Sequence, residues 1–206
     1  MLSLIGRKIG MTQIFGEDGN VVPVTAVKVE PNVVVGERTL ANHGYDAVIL
    51  GAGEVRQKRI RKPVLGQFPE GVAATRFLME VKSFERECKV GDRLGAEVFD
   101  GISFVDVQGF SKGKGYQGVV KRHGFAGGRK THGSKFHRTP GSTGNAASPS
   151  KVFRGSRMAG RMGHAKTTIQ NLSLVSIDKE NGFLLIKGSI PGARNGIVVV
   201  RKSKKM

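Results

Sequence analysis

Between Gly113 and Val120 the chain reads GKGYQGVV, which places three glycines at G-x-G-x-x-G spacing. That spacing serves dinucleotide-binding folds and the loop that covers ATP in protein kinases, and the preceding run ISFVDV, residues 102–107, reads as a strand. The rest of either active site is missing. Phosphoryl transfer needs carboxylates to hold Mg²⁺ and to accept a hydroxyl proton. After Asp106 the only acids are Asp178 and Glu180, inside the turn-like DKENG at 178–182. Residues 137–139 read HRT, with threonine where a kinase catalytic loop needs aspartate, and no DFG follows. About twenty residues beyond Gly118, where a dinucleotide site carries its ribose-binding acid, stands Arg138. His132 and His137 are five apart with no cysteine near, unlike the paired, thiolate-containing spacing of structural zinc. Ser/His/Asp catalysis lacks a placed acid here. No catalytic residue, metal, cofactor or small-molecule substrate is expected.

Charge supplies a different chemistry. The 206 residues carry 34 Lys+Arg against 16 Asp+Glu, a formal net charge of +18, and such an excess calls for a polyanionic partner, nucleic acid first. From Val107 to Ile177 there is no acid at all, whereas 13 lysines and arginines and four of the five histidines fall there. The segment Gly109–Gly163 holds 13 glycines but only five residues of the Val/Ile/Leu/Met type, too few to bury a core of its own. Phe110, Tyr116, Phe125, Phe136 and Phe153 are interleaved with the cations. Aromatic faces, guanidinium forks and unobstructed backbone together suit RNA. Glycine alternates with lysine in GFSKGKGYQG so that RNA-facing backbone can approach phosphates, with Lys112 and Lys114 neutralising them.

The elements that must carry this segment read as all-β. Short Val/Ile-rich runs recur as MTQIF, VVPVTAVKV, DAVIL, ISFVDV, TIQNLSLVSI, FLLIK and GIVVVRK, separated by turn signals at GEDGN (16–20), KVGD (89–92) and DKENG. Regular spacing of short strands favours a closed barrel or sandwich, since closure removes exposed edges. GVAATRFLMEVKSFERE, residues 71–87, is read as starting with a short helix, though its periodicity is ambiguous. The single cysteine, Cys88, excludes an intrachain disulfide and fits a reducing compartment. No apolar run approaches the ~20 residues that span a bilayer, and no signal or transit peptide is visible, so a cytoplasmic, bacterial protein is expected.

At Phe99, Asp106, Gly109, Ser111, Gly113, Lys114, Gly115, Gly118 and Arg122 the sequence resembles the defining motif of the universal large-subunit ribosomal protein L three family, in its bacterial form. IGRKIGMTQIF at the N-terminus, HRTPGSTG at 137–144, KVFRGSRMAGRMG at 151–163 and IPGA at 190–193 agree, so the resemblance covers essentially the whole chain. It implies a mainly β fold: a translation-factor-like β-barrel with a long irregular basic extension inserted between strands. It also implies a structural constituent of the large subunit that binds rRNA directly, nucleates early assembly and reaches towards the peptidyl-transferase centre. Neighbouring ribosomal proteins are the other implied partners; no membrane is. The barrel is expected over residues 1–110 and 165–206, and a glycine-rich rRNA-binding segment over 111–164 with its extended loop at about 125–154. The alternative is a ribosome assembly factor or non-specific nucleic-acid-binding protein that holds duplexes by charge alone. Some bacterial members carry a side-chain-methylated glutamine where this sequence has Ala147, which cannot accept that mark.

Roles follow. Lys112, Lys114, Lys121, Arg122, Arg129, Lys130, Lys135, Arg138, Lys151, Arg154, Arg157, Arg161 and Lys166 are expected on phosphates, with arginine where planar bidentate geometry is needed. His132, Phe136 and His137 are expected to stack on bases or sugars. The tip of the loop comprises Pro140, Gly141, Gly144, Asn145, Ala147 and Pro149, with the two prolines restricting it and the glycines allowing reversal. Arg7, Lys8 and the terminal RKSKKM are expected to add contacts from the barrel surface.

Overall fold

The computed structural model describes residues 1–16 and 18–205, so Glu17 of the 16–20 turn and Met206 of the terminal run lie outside the described residues. The chain is mainly β. Its strands are β1 (Ser3–Phe15), β2 (Val21–Lys28), β3 (Asn32–Arg38), β4 (Ala47–Glu54), β5 (Thr75–Lys82), β6 (Arg93–Leu94), β7 (Phe104–Phe110), β8 (Gly115–Gln117), β9 (Gly160–Met162), β10 (Lys166–Asp178), β11 (Phe183–Lys187) and β12 (Ile197–Lys202). They belong to two compact units: Met1–Ser111 with Lys166–Met206, and Lys112–Ala165.

In the first unit six antiparallel strands pair in the order β1-β12-β7-β10-β11-β2, and β2 pairs back onto β1, so the sheet closes on itself as a barrel. Alternation decides which side chains point inward. In β11 Leu184 and Ile186 are buried while Phe183, Leu185 and Lys187 are less so, and in β12 Val198 and Val200 alternate in the same way. Leu4, Val27, Val105 and Val107 join them, all within the same apolar cluster. A second sheet, β5-β4-β3-β6, contributes Val34, Leu50, Val81 and Leu94 to that cluster. Phe99, on a 3₁₀ turn at Ala96–Phe99, is wholly buried there as well.

Buried polar groups are used to finish the backbone pairing. The β1–β2 ladder ends at Arg7 and Lys28, and beyond it the Asn32 side chain takes the place of a strand. Ile5 N–H donates to Asn32 Oδ1 at 2.9 Å, and Asn32 Nδ2 donates to the carbonyls of Ile5 (3.0 Å) and Glu30 (2.8 Å). Asp106 does the same at a bulge: the β7–β10 register shifts between Ile169 and Leu172, and the Asn171 N–H donates to Asp106 Oδ1 at 2.8 Å.

One sequence expectation needs correction. Residues 75–82, within the stretch read as opening a helix, form β5, because Thr75 to Lys82 pair in register with β4 from Glu54 to Ala47. Lys8, expected to add a contact from the barrel surface, donates from Nζ to the carbonyls of Ile190 (2.8 Å) and Gly192 (3.2 Å), tying β1 to the IPGA turn.

Candidate nucleic-acid interface

The segment that carries the clustered cations leaves β7 and returns at β10. Phe110 and Lys166 are directly paired residues of those strands, so the departing and returning chain are neighbours in the ladder. Within the second unit, β8 and β9 form a two-stranded ladder, Gly115 opposite Met162 and Gln117 opposite Gly160. A one-turn helix, Val119–His123, follows, with Gly118 before it and Gly124 closing it at φ +75°. Val119 is buried, and the helix carries Lys121, Arg122 and His123 in its last turn. From residue 124 to residue 159 the described chain has no regular element.

The GKGYQG motif is thereby placed in a hairpin and a helix start rather than in a strand–turn–helix crossover. Every strand pairing among the described residues is antiparallel, so no βαβ unit surrounds the glycines. The sequence reading also missed a crossing inside the chain, between this motif and the segment around Gly163. The Lys114 N–H donates to Met162 O at 2.9 Å. At Gly163, φ is +76°, and a Cβ would stand 2.2 Å from the Lys112 carbonyl oxygen. The two segments can cross only where one of them lacks a side chain.

Of the sixteen residues assigned to RNA, fifteen are exposed, and eleven of those fifteen are Lys or Arg in the second unit. Arg122 is the exception. It is half-buried, and its Nη1 donates to the Met158 carbonyl at 2.7 Å, tying the helix to the irregular segment that precedes β9. The His123 ring nitrogen Nε2 lies 3.0 Å from the same oxygen. His137 Nδ1 lies 2.8 Å from the Arg129 carbonyl, which brings those two assigned residues together. Lys166 stands apart from the rest, at the start of β10 in the first unit. At the tip Pro140, Gly141, Gly144, Asn145 and Ala147 are exposed and Pro149 is half-buried; Gly141, at φ +83°, is the glycine that takes a left-handed turn.

Electrostatically the interface has no internal counter-charge. The four ion pairs among the described residues all join groups of the first unit. The acids that bracket the basic stretch are both structural: Asp106 holds the bulge, and Asp178 caps the 178–182 turn. Hydrogen bonds from the Asn181 side chain and then its backbone keep the Asp178 carboxyl below the usual carboxylate range. Both carboxylates accept hydrogen bonds from the chain itself, and no group of three or more His, Cys, Asp or Glu among the described residues could hold a metal. What the arrangement can do is bind phosphates with a dozen solvated cations on glycine-rich backbone.

Known proteins are similar to this chain along its whole length. A model of the family described as ribosomal protein L3 matches residues 67–182, more than half of the chain. The chain is 47% identical over 205 residues to the large ribosomal subunit protein uL3 of Treponema denticola, covering 100% of this chain and 99% of that one. It is 48% identical over 208 residues to the uL3 proteins of Borrelia hermsii and Borrelia turicatae, again over 100% of this chain and 99% of each. A family match over more than half of the chain and relatives close to 50% identical over its whole length show that the chain belongs to the ribosomal protein L3 family.

Proposed function

We propose that this chain binds large-subunit rRNA directly, through the second unit, as a structural constituent of the large ribosomal subunit. Membership of the family makes it a ribosomal structural protein and not an enzyme. The observation that carries the RNA reading is the stretch from Val107 to Ile177, which has 13 cations and no acid, with fifteen of the sixteen assigned side chains exposed. Such a surface repels itself and is stabilised by a polyanion; released counterions then drive association. Lys112, Lys114, Lys121, Arg129, Lys130, Lys135, Arg138, Lys151, Arg154, Arg157, Arg161 and Lys166 neutralise phosphates in this reading. Arg122 positions the helix that carries Lys121.

The barrel, taken as translation-factor-like, seats at the subunit surface beside neighbouring ribosomal proteins. The irregular loop at about 125–154 is the extension that threads between rRNA helices towards the peptidyl-transferase centre, and binding occurs early enough to nucleate assembly. The setting is the bacterial cytoplasm, within the ribosome. Sedimentation of high-salt-washed large subunits tests the reading. One copy per subunit, retained through the wash, is the expected result. Loss of the protein into the wash would favour the assembly factor or non-specific binder.

A further inference from the structure

Within the second unit, residues 125–141 close on themselves. The Gly128 N–H donates to the His137 carbonyl at 3.1 Å, and His137 in turn reaches the Arg129 carbonyl through its ring. A Cβ on Gly128 would lie 1.9 Å from the Phe136 carbonyl oxygen, and one on Gly127, where φ is +80°, would lie 2.6 Å from that of His137. Both obstacles are backbone atoms that cannot swing aside, so the crossing requires two successive glycines. The crossing gathers Phe125, Phe136 and Pro140 around a concavity of about 450 Å³. The Phe136 ring is 68% exposed, a large apolar face left to water. Arg129, Lys130, Lys135 and Arg138 flank it in the chain, all exposed and none with an acidic partner among the described residues.

We infer that this concavity takes one unstacked nucleobase of single-stranded rRNA. The base stacks on Phe136 while the flanking cations hold the phosphates on either side. The occupant is fixed by the combination: an aromatic face rewards any base with an uncovered π-face, and exposed cations on either side of it in the chain, with no acidic partner among the described residues, reward only a partner that brings phosphates with it. A base inside a duplex has both faces covered and cannot enter. An apolar side chain from a protein would leave the four cations without counter-charge. The inference rests on the rRNA-binding reading given above and adds to it a single-strand subsite that discriminates by stacking.

The test uses the full-length chain and two probes with equal numbers of phosphates, a single-stranded oligoadenylate carrying one 2-aminopurine and a blunt RNA duplex. Phe136→Ala is expected to weaken oligoadenylate binding roughly tenfold to a hundredfold and to leave the duplex affinity unchanged. It should also abolish the quenching of 2-aminopurine that the wild type produces. Phe136→Tyr should restore both. Gly128→Ala, which breaks the crossing without removing a ring, should lose the same single-strand preference. Arg129→Gln should weaken both probes alike. If the wild type bound neither RNA, the rRNA-binding reading itself would fail. If it bound both and Phe136→Ala changed both or neither, the subsite alone would be overturned. Unchanged RNA binding together with loss of a neighbouring protein from subunits carrying Phe136→Ala would overturn it in favour of a protein side chain.

Discussion

Asn32 shows how much of the first unit hangs on single polar residues. It is completely buried and makes three hydrogen bonds to main chain, two of them closing the backbone of Ile5. Asn32→Leu would keep the volume but strand a buried N–H and C=O, each costing about 1–3 kcal/mol. The variant is expected to lower unfolding free energy by roughly 2–5 kcal/mol, read from the denaturant midpoint at unchanged slope. Cys88 gives a second test at this scale. Its thiol is pushed up from the ordinary cysteine range, first by partial burial and then by the carboxylates of Glu37 and Asp92. A raised value means less thiolate at any given pH, and the thiolate is the nucleophile. Alkylation of Cys88 by iodoacetamide should therefore run slower than that of free cysteine at pH 8, with its rate still rising where free cysteine has levelled off. Equal rates would show that the carboxylates do not act on it.

At the scale of elements, β5 is the instructive case. Along Thr75 to Lys82 the burial alternates strictly: Thr75, Phe77, Met79 and Val81 turn inward, and Arg76, Leu78, Glu80 and Lys82 outward. The period of two was present in the letters, but Leu78 and Met79 in succession and the preceding Ala73–Ala74 imitate a helix start, and Leu78 breaks the apolar/polar alternation. What decided the matter was β4, whose Leu50 and Ile49 sit opposite Met79 and Glu80. Val81→Ala should cost about 2 kcal/mol, because Val81 is 4% exposed within the core cluster. Leu78→Thr, on the outward face, should stay within about 0.5 kcal/mol of wild type. Similar losses at both positions would argue for a helix. The strand β3 was missed altogether, although in NVVVGER the residues Val33, Val34 and Val35 are all buried.

For the molecule as a whole, the division into two units predicts separable behaviour. The closed strand ring takes no residue from 112–165. Replacing Ala126 to Lys151 with a short Gly/Ser linker should therefore leave a cooperative unfolding transition at nearly the original midpoint, because little apolar surface is lost. Loss of the transition would mean that the loop supports the barrel. RNA affinity should respond to the same change in the opposite way. In the intact chain, with about 6–10 phosphate contacts, affinity for an rRNA fragment should fall roughly 10³–10⁵-fold between 50 and 200 mM salt. Lys114→Gln should reduce the log–log slope by about one unit. A flat salt response would contradict the polyelectrolyte account.

What the sequence determined by itself was chemistry and class. A stretch with no acid and 13 cations offers no carboxylate to hold Mg²⁺ or to accept a hydroxyl proton whatever its fold, so the G-x-G-x-x-G reading fails on the letters alone. Short apolar runs rich in valine and isoleucine likewise announced β7, β11 and β12, since such runs bounded by turn residues are what buried strands require. The tertiary structure alone decided which residues of the motif are left exposed and which hold the chain together. Phe99 packs the core, Asp106 fills a bulge, Arg122 spends its guanidinium on Met158, and Lys8 on the 190–192 turn. Each of these roles depends on a backbone group far away in the chain, and residue type at one position carries no information about what the fold brings opposite it. The Gly127–Gly128 crossing is the extreme instance: two glycines look like slack in the letters, and the Phe136 and His137 carbonyls turn them into the tightest fit in the loop.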